Sequence, residues 1–262
     1  GQRFDASGAT VGPEFQVNTG TDNHQGSSSV TALADGGFVV TWESYLTGGY
    51  EQIGSGLGIF GQRYNAAGDE VGVEFQINTT ADQWQEMSNV EALAGGGFVV
   101  TWSTLGDDGT NYNIFGQRYD AAGAAEGAEF QVNTMANGEQ WVSTTAGLTD
   151  GGFVVTWTSN NQDGDGYGIY GQRYDAAGAT AGAEFQINTY TAGDQQFTDV
   201  TELPDGGFVV TWTSNGQDGD SDGVYGQRFD AVGGAVGAEF QINTFTNGQQ
   251  QTPSVAAMPD GR

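Results

Sequence analysis

A chain of 262 residues with 33 Asp and Glu against 6 Arg and no Lys, a formal net charge of -27, has no basic footprint for nucleic acid or an anionic membrane surface. The absence of cysteine removes disulfides, thiol catalysis and sulfur metal sites, and no run reaches the ~18 apolar residues of a membrane span. Glycine at 45 residues and aromatics at 12% point to many short strands joined by tight turns.

The chain reads as one repeat domain over 1–262, with units of about 1–60, 61–115, 116–170, 171–225 and an incomplete 226–262. Each unit opens on GQR (residues 1, 61, 116, 171 and 226) and reaches EFQ 13 residues later. These two segments, exemplified by IYGQRYD and EFQINT, predict an outer antiparallel pair, strands C and D. Across their hairpin the arginine of GQR is expected to meet the glutamate of EFQ. The internal ion pairs predicted are Arg63 with Glu74, Arg118 with Glu129, Arg173 with Glu184 and Arg228 with Glu239.

A linker follows in which Asn18, Asn78, Asn133, Asn188 and Asn243 recur, each with a glutamine seven residues on. The recurring amides read mainly as backbone support. The residues around them vary, so Gln85, Gln140 and Gln195 with the tip aromatics Trp84 and Trp141 are the candidate ligand-binding residues. An inner strand A, such as VTELP at 200–204, then turns through Asp-Gly-Gly into strand B, FVVTW. In this strand Phe153, Val155 and Trp157 alternate with Val154 and Thr156, both sets suited to burial, so the tryptophans read as core.

The loop after strand B is acidic and glycine-rich: TSNNQDGDGYG at 158–168, TSNGQDGDSDG at 213–223 and a thinner STLGDDGTNYN at 103–113. Alternating oxygen-bearing residues and glycines let a loop fold around a hard cation. Asp163, Asp165, Asp218, Asp220 and Asp222, with Asp107 and Asp108, are therefore the candidate calcium ligands, and the loop of the first repeat is expected to hold no ion.

Four-stranded meanders repeated every ~55 residues bury both faces best by radial packing. The expected fold is all-β, a β-propeller of about five four-stranded antiparallel blades. Strand B occurs four times and the C–D pair five times, so a closed ring would lack one FVVTW strand, expected just beyond Arg262, and the chain reads as a piece of a longer protein.

The run DGGFVVTWTSNNQDGDGYGIYGQRYDAAGATAGAEFQINT resembles the tandem repeats of large secreted calcium-binding bacterial proteins of the RTX and adhesin type, and its layout is similar to kelch-like blades. That resemblance implies secretion, calcium, and association with other domains or copies of a larger extracellular protein, without membrane insertion. The glycine-rich nonapeptide of true RTX β-rolls is missing. The only histidine is His24, and no GxSxG or Walker-type loop occurs. A catalytic acid pair would break the repeat, whereas the acids read as repeating in register or lying in metal-like loops. The expectation is thus a non-enzymatic, calcium-stabilised module of an adhesin or appendage. The alternative is a lectin-like propeller that binds glycans, and a part of a glycan-acting enzyme ranks below both.

Overall fold

A computed structural model describes residues 1–21, 24–45, 57–80, 83–106, 111–135 and 137–258, and contains only strands and turns there. A short hairpin comes first, β1 (Arg3–Phe4) with β2 (Thr10–Val11). Four four-stranded antiparallel sheets follow: β3 (Gln25–Ala32), β4 (Phe38–Tyr45), β5 (Leu57–Tyr64) and β6 (Glu70–Gln76); β7 (Gln85–Ala92), β8 (Phe98–Leu105), β9 (Tyr112–Tyr119) and β10 (Ala125–Gln131); β11 (Gln140–Gly147), β12 (Phe153–Asn160), β13 (Tyr167–Tyr174) and β14 (Phe185–Gln186); and β15 (Gln195–Glu202), β16 (Phe208–Asn215), β17 (Asp222–Phe229) and β18 (Ala235–Gln241). Each sheet is a meander, and the FVVTW strand is its second member.

The first strands of successive sheets are neighbours: β3 lies beside β7, β7 beside β11, and β11 beside β15. The sheets therefore radiate like blades from an axis lined by those inner strands, the packing of a β-propeller. Alternation in FVVTW explains how the blades stack. Phe153, Val155 and Trp157 join one core cluster with Val99 and Ile114 of the preceding blade, while Val154, on the opposite face, joins Phe208, Val210 and Trp212 of the next. The tryptophans are core, with Trp102, Trp157 and Trp212 all at 0% exposure.

The Asp-Gly-Gly turn is held locally: Gly151 donates to Leu148 O, and Leu148 donates to Gly152 O at 2.8 Å. Gly152 cannot be replaced there, because a Cβ would stand 2.2 Å from the carbonyl oxygen of Tyr174. The inner strand is longer than its sequence signal. It begins at the recurring glutamine, as at Gln195, because the segment up to Asp199 pairs with β16 through a bulge. Strand B likewise runs past the tryptophan to Asn160, so the acidic loop is shorter than it reads.

The C–D hairpin departs from the expected register. Gly171 faces Phe185 and Tyr174 faces Thr180, which leaves Arg173 away from Glu184. The arginines reach carbonyls of the following repeat instead: Arg63 Nη2 donates to Ala121 O at 2.8 Å, and Arg118 Nη2 to Ala176 O at 3.0 Å. Their ion partners are Asp35 for Arg63, Asp150 for Arg173, Asp205 for Arg228 and Glu126 for Arg118. The glutamates turn the other way. Glu129, Glu184 and Glu239 each accept the backbone N–H and hydroxyl of Thr79, Thr134 and Thr189 in the preceding repeat, and Glu74 does the same for Thr19. Both residue types are structural; the glutamates tie repeat to repeat, and the arginines do so as well as bridging strands, as Arg118 does to Glu126.

Candidate active site at the bulged end of the inner strands

Every inner strand carries a β-bulge near its start. The register with strand B shifts between Gly26 and Ser29, Glu86 and Asn89, Trp141 and Thr144, and Gln196 and Asp199. At each shift sits a non-glycine residue with positive φ: Ser27 (47°), Met87 (57°), Val142 (52°) and Phe197 (58°), with Thr252 (51°) at the matching place in the fifth repeat. The left-handed region costs an L-residue roughly 1–2 kcal/mol, and β-branched Val142 makes it a genuine outlier. Strain repeated at one level of each inner strand marks that end of the molecule, because bulges re-aim side chains beside sites.

Side chains that depart from the repeat pattern gather at this end. Glu43 stands where the other strands have Ser103, Thr158 and Thr213; Glu86 stands where they have Gly26, Trp141, Gln196 and Gln251. The two acids come from adjacent blades and lie close together. Glu43 Oε2 accepts the N–H of Met87 at 3.3 Å, and its Oε1 accepts the hydroxyl of Ser27 at 2.7 Å. Gly26 makes room for them: a Cβ would lie 2.9 Å from His24 Cε1 and 3.2 Å from Glu43 Oε1.

Burial raises the Glu86 carboxyl above its usual range; the Tyr112 hydroxyl, donating to it, opposes the rise, and the charge of Glu43 adds to it. Burial and the Glu86 charge in turn push the Tyr112 phenol up, so Tyr112 stays a neutral donor. Glu43 is held by a backbone N–H and a hydroxyl, one on each carboxylate oxygen.

Two further departures lie lower on the inner strands. Glu91 replaces Thr31, Ala146 and Thr201, and Asp199 replaces Ser29, Asn89 and Thr144. Glu91 Oε1 faces the N–H of Gly147 at 3.5 Å in the next inner strand, and Asp199 Oδ2 accepts the N–H of Val255 at 2.8 Å. Burial pushes the Glu91 carboxyl up to about 7, against the Gly147 hydrogen bond and with the help of the Asp199 charge.

Aromatic rings border the same end. Tyr45 meets Trp84 edge-on with centroids 6.3 Å apart, and His24 meets Tyr45 at 6.1 Å. Trp141 lies between Tyr167 (6.3 Å) and Phe197 (6.1 Å), and the Tyr167 hydroxyl donates to Glu139 at 2.7 Å. Both candidate tryptophans are packed against other rings at this end.

The glutamines do not. Gln85 (1%), Gln140 (0%) and Gln195 (0%) are buried, and each accepts a hydrogen bond from its linker asparagine, Asn78, Asn133 or Asn188, at 2.9–3.0 Å. The asparagine Oδ1 atoms accept the N–H groups of Ile59, Ile114 and Ile169 at 2.7–2.8 Å. Their ligand-binding role is corrected to a bracket that fixes the linker, because an amide carries the acceptor and the donors that two backbones need at once.

The aspartates expected to bind calcium have protein partners. Asp165 Oδ2 accepts the N–H of Gly193 at 3.2 Å, and Asp220 Oδ2 accepts that of Gly248 at 2.8 Å, so both clasp the neighbouring linker. Asp163 and Asp218 face the Nδ2 of Asn188 and Asn243. Asp222 is buried between donors, Asn215 Nδ2 at 2.8 Å and Gln251 Nε2 at 2.6 Å. Among the described residues no group of three or more acids or histidines converges on a metal position. Asp107 and Asp108 lie outside the described residues.

No protein-family model and no curated relative matches the sequence. Solved structures share the fold. The α-L-arabinofuranosidase of Fusarium graminearum, in complex with an iminosugar inhibitor, superposes with a TM-score of 0.59 at 14% identity, over 82% of this chain and 65% of that one. The α-L-arabinanase of Penicillium chrysogenum with arabinobiose gives 0.58 at 14% identity, over 86% and 68%. A protein of unknown function from Dyadobacter fermentans gives 0.60 at 11% identity, over 90% and 69%. The chain thus spans slightly less than two thirds of the arabinofuranosidase's length. The likeness shows the fold, and it is a fold that carries glycan-acting enzymes. Together with the unrepeated acids Glu43 and Glu86, it overturns the expectation of a non-enzymatic RTX or adhesin module and the premise that no acids break the repeat.

Proposed function

We propose that this chain is a carbohydrate-acting β-propeller of five blades, with its site at the bulged end of the inner strands and Glu43 and Glu86 as the working carboxylates. The observation that carries the reading is the pair itself: two acids without counterparts at their positions in the other repeats, brought together from adjacent blades, with the Glu86 carboxyl raised by burial and by the Glu43 charge. Glycosidic cleavage asks for one carboxylic acid that keeps its proton and one carboxylate that does not. Glu86, half-buried and beside a negative charge, is the general acid that protonates the departing oxygen. Glu43, with donors on both oxygens, is the carboxylate that assists attack at the anomeric carbon or on water.

Tyr45 and Trp84, two residues from Glu43 and Glu86 along the chain, pack edge-on and supply the rings at this end. A sugar's apolar face packs against such rings, and its hydroxyls find the nearby polar groups. The structural neighbours support furanose-containing glycans as the first substrates to try, and with them a secreted protein acting on polymers outside the cell.

The test is a panel of chromogenic glycosides and arabino-oligosaccharides with the parent protein, Glu43→Gln and Glu86→Gln. Hydrolysis by the parent is expected, with each variant lower by ~10²–10⁴-fold at unchanged melting temperature. Glycan binding without turnover in the parent would reduce the reading to a lectin-like propeller, and neither binding nor turnover would refute it.

A further inference from the structure

The four complete blades obey one rule of interdigitation. The first valine of FVVTW (Val39, Val99, Val154) and the isoleucine paired beside it (Ile59, Ile114, Ile169) enter the Phe-Val-Trp face of the next blade, and all of these valines and isoleucines are fully buried. The rule leaves two half-interfaces unmet. On the first blade, the Phe38, Val40 and Trp42 face opens onto a cavity of about 1020 Å³ that is also walled by Phe4 and Phe15 of the N-terminal segment. On the fourth, Val209 is only half-buried and Ile242 is 45% exposed, whereas its counterparts Ile77 and Ile187 are at 3% and 2%.

The backbone tells the same story. Strand β1 occupies the place of β5, β9, β13 and β17, each of which pairs along one edge with an FVVTW strand. Among the described residues β1 pairs only with β2. Phe4 is consequently 62% exposed where Tyr64, Tyr119, Tyr174 and Phe229 are at 2–5%. Its hairpin is nonetheless set as the others are, for Arg3 donates to the carbonyls of Ala66 and Ala67 just as Arg63 does to those of Ala121 and Ala122. On the inner side, Val255 already donates to Asp199, the contact Thr145 makes to Asn89 two blades earlier.

We infer that the free edge of β1 and the cavity beside it form an acceptor groove for one extended strand carrying the repeat's own FVVTW sequence. The register follows from the other sheets. The incoming phenylalanine sits opposite Phe4 and the first valine opposite Arg3, as Phe38 faces Tyr64 and Val39 faces Arg63. The alternation then sends the first valine into Phe38, Val40 and Trp42, and the Phe-Val-Trp side toward Val209 and Ile242. The mode is strand addition, in which main-chain hydrogen bonds give affinity and alternate side-chain pockets give specificity.

The experiment adds a synthetic peptide with the sequence of residues 205–218, DGGFVVTWTSNGQD, to the chain of residues 1–262. Saturable 1:1 binding by calorimetry is expected, with a rise in melting temperature and slowed amide exchange confined to β1 and the cavity wall. Two peptide variants leave the protein untouched. Val209→Asp removes the buried valine, and Val210→Pro removes a ladder donor; each should bind at least about tenfold more weakly. No binding of the parent peptide, equal binding of the variants, or protection elsewhere in the chain would each overturn the inference.

Discussion

The two ends of each blade follow opposite rules. At the turn end, the Asp-Gly-Gly hairpin and the arginine that reaches the next repeat are nearly the same in every copy, and the contacts are the same too. At the bulged end the backbone is just as regular, down to a left-handed residue in every inner strand, while the side chains change from blade to blade. A repeat protein can hold its scaffold constant and let one level vary. Chemistry is then to be sought where the backbone repeats and the side chains do not.

The contrast is broken most severely by removing a carboxylate at the variable level. Glu86→Gln should lower glycoside turnover by ~10²–10⁴-fold, and the loss in the parent as pH rises should follow a group titrating above the ordinary carboxylate range. Denaturation midpoints of this variant should stay near the parent's, because the amide still accepts from Tyr112. At the constant level the order reverses. Trp157→Ala, at 0% exposure between two blades, should cost about 3–5 kcal/mol by urea titration whether or not activity survives.

An intermediate effect is expected from Glu91, whose carboxyl rises from its ordinary 4.5 to about 7. The folded state binds this proton more tightly than the unfolded chain does, so the contribution is present below about pH 4.5 and is lost as pH rises through about 7. Melts from pH 4 to 8 should show a downward trend on the order of 2 kcal/mol that Glu91→Gln flattens. The smallest effect is expected from chelator. With Asp165 and Asp220 engaged by backbone N–H groups, EDTA should move the melting temperature by less than about 1 °C, and a larger drop would restore the metal reading.

Much of the fold was legible because period 2 within FVVTW and period ~55 along the chain are physical signals of strand and blade. The buried tryptophans and the Asp-Gly-Gly turns followed directly. The C–D register did not, because the Arg and Glu that alternation sets near each other are drawn to carbonyls and threonines of neighbouring repeats, contacts that no single hairpin contains. The linker contacts of the acidic loops were illegible for a related reason: Asp165 and Asp220 accept from a linker some 28 residues away, and oxygen-rich spacing does not distinguish that use from a cation. The candidate site was missed although its signal was present. Comparing the repeats column by column finds Glu43, Glu86, Glu91 and Asp199 among the acids without counterparts, with Asp69, Glu70, Glu126, Glu202 and Asp222 beside them, whereas reading each repeat for what it shares averages all of them away.

The linker asparagine has a further consequence for how the molecule comes apart. Asn133 accepts from the third strand of one sheet at Ile114 and donates to the first residue of the next at Gln140, with Asn78 and Asn188 doing the same at the other junctions. A blade cannot melt without stripping its neighbour of a buried amide partner, so the cost of a boundary between folded and unfolded repeats is high. In a one-dimensional lattice of repeats that coupling favours a single cooperative transition over stepwise fraying. Replacing one such asparagine near the middle should split one transition into two.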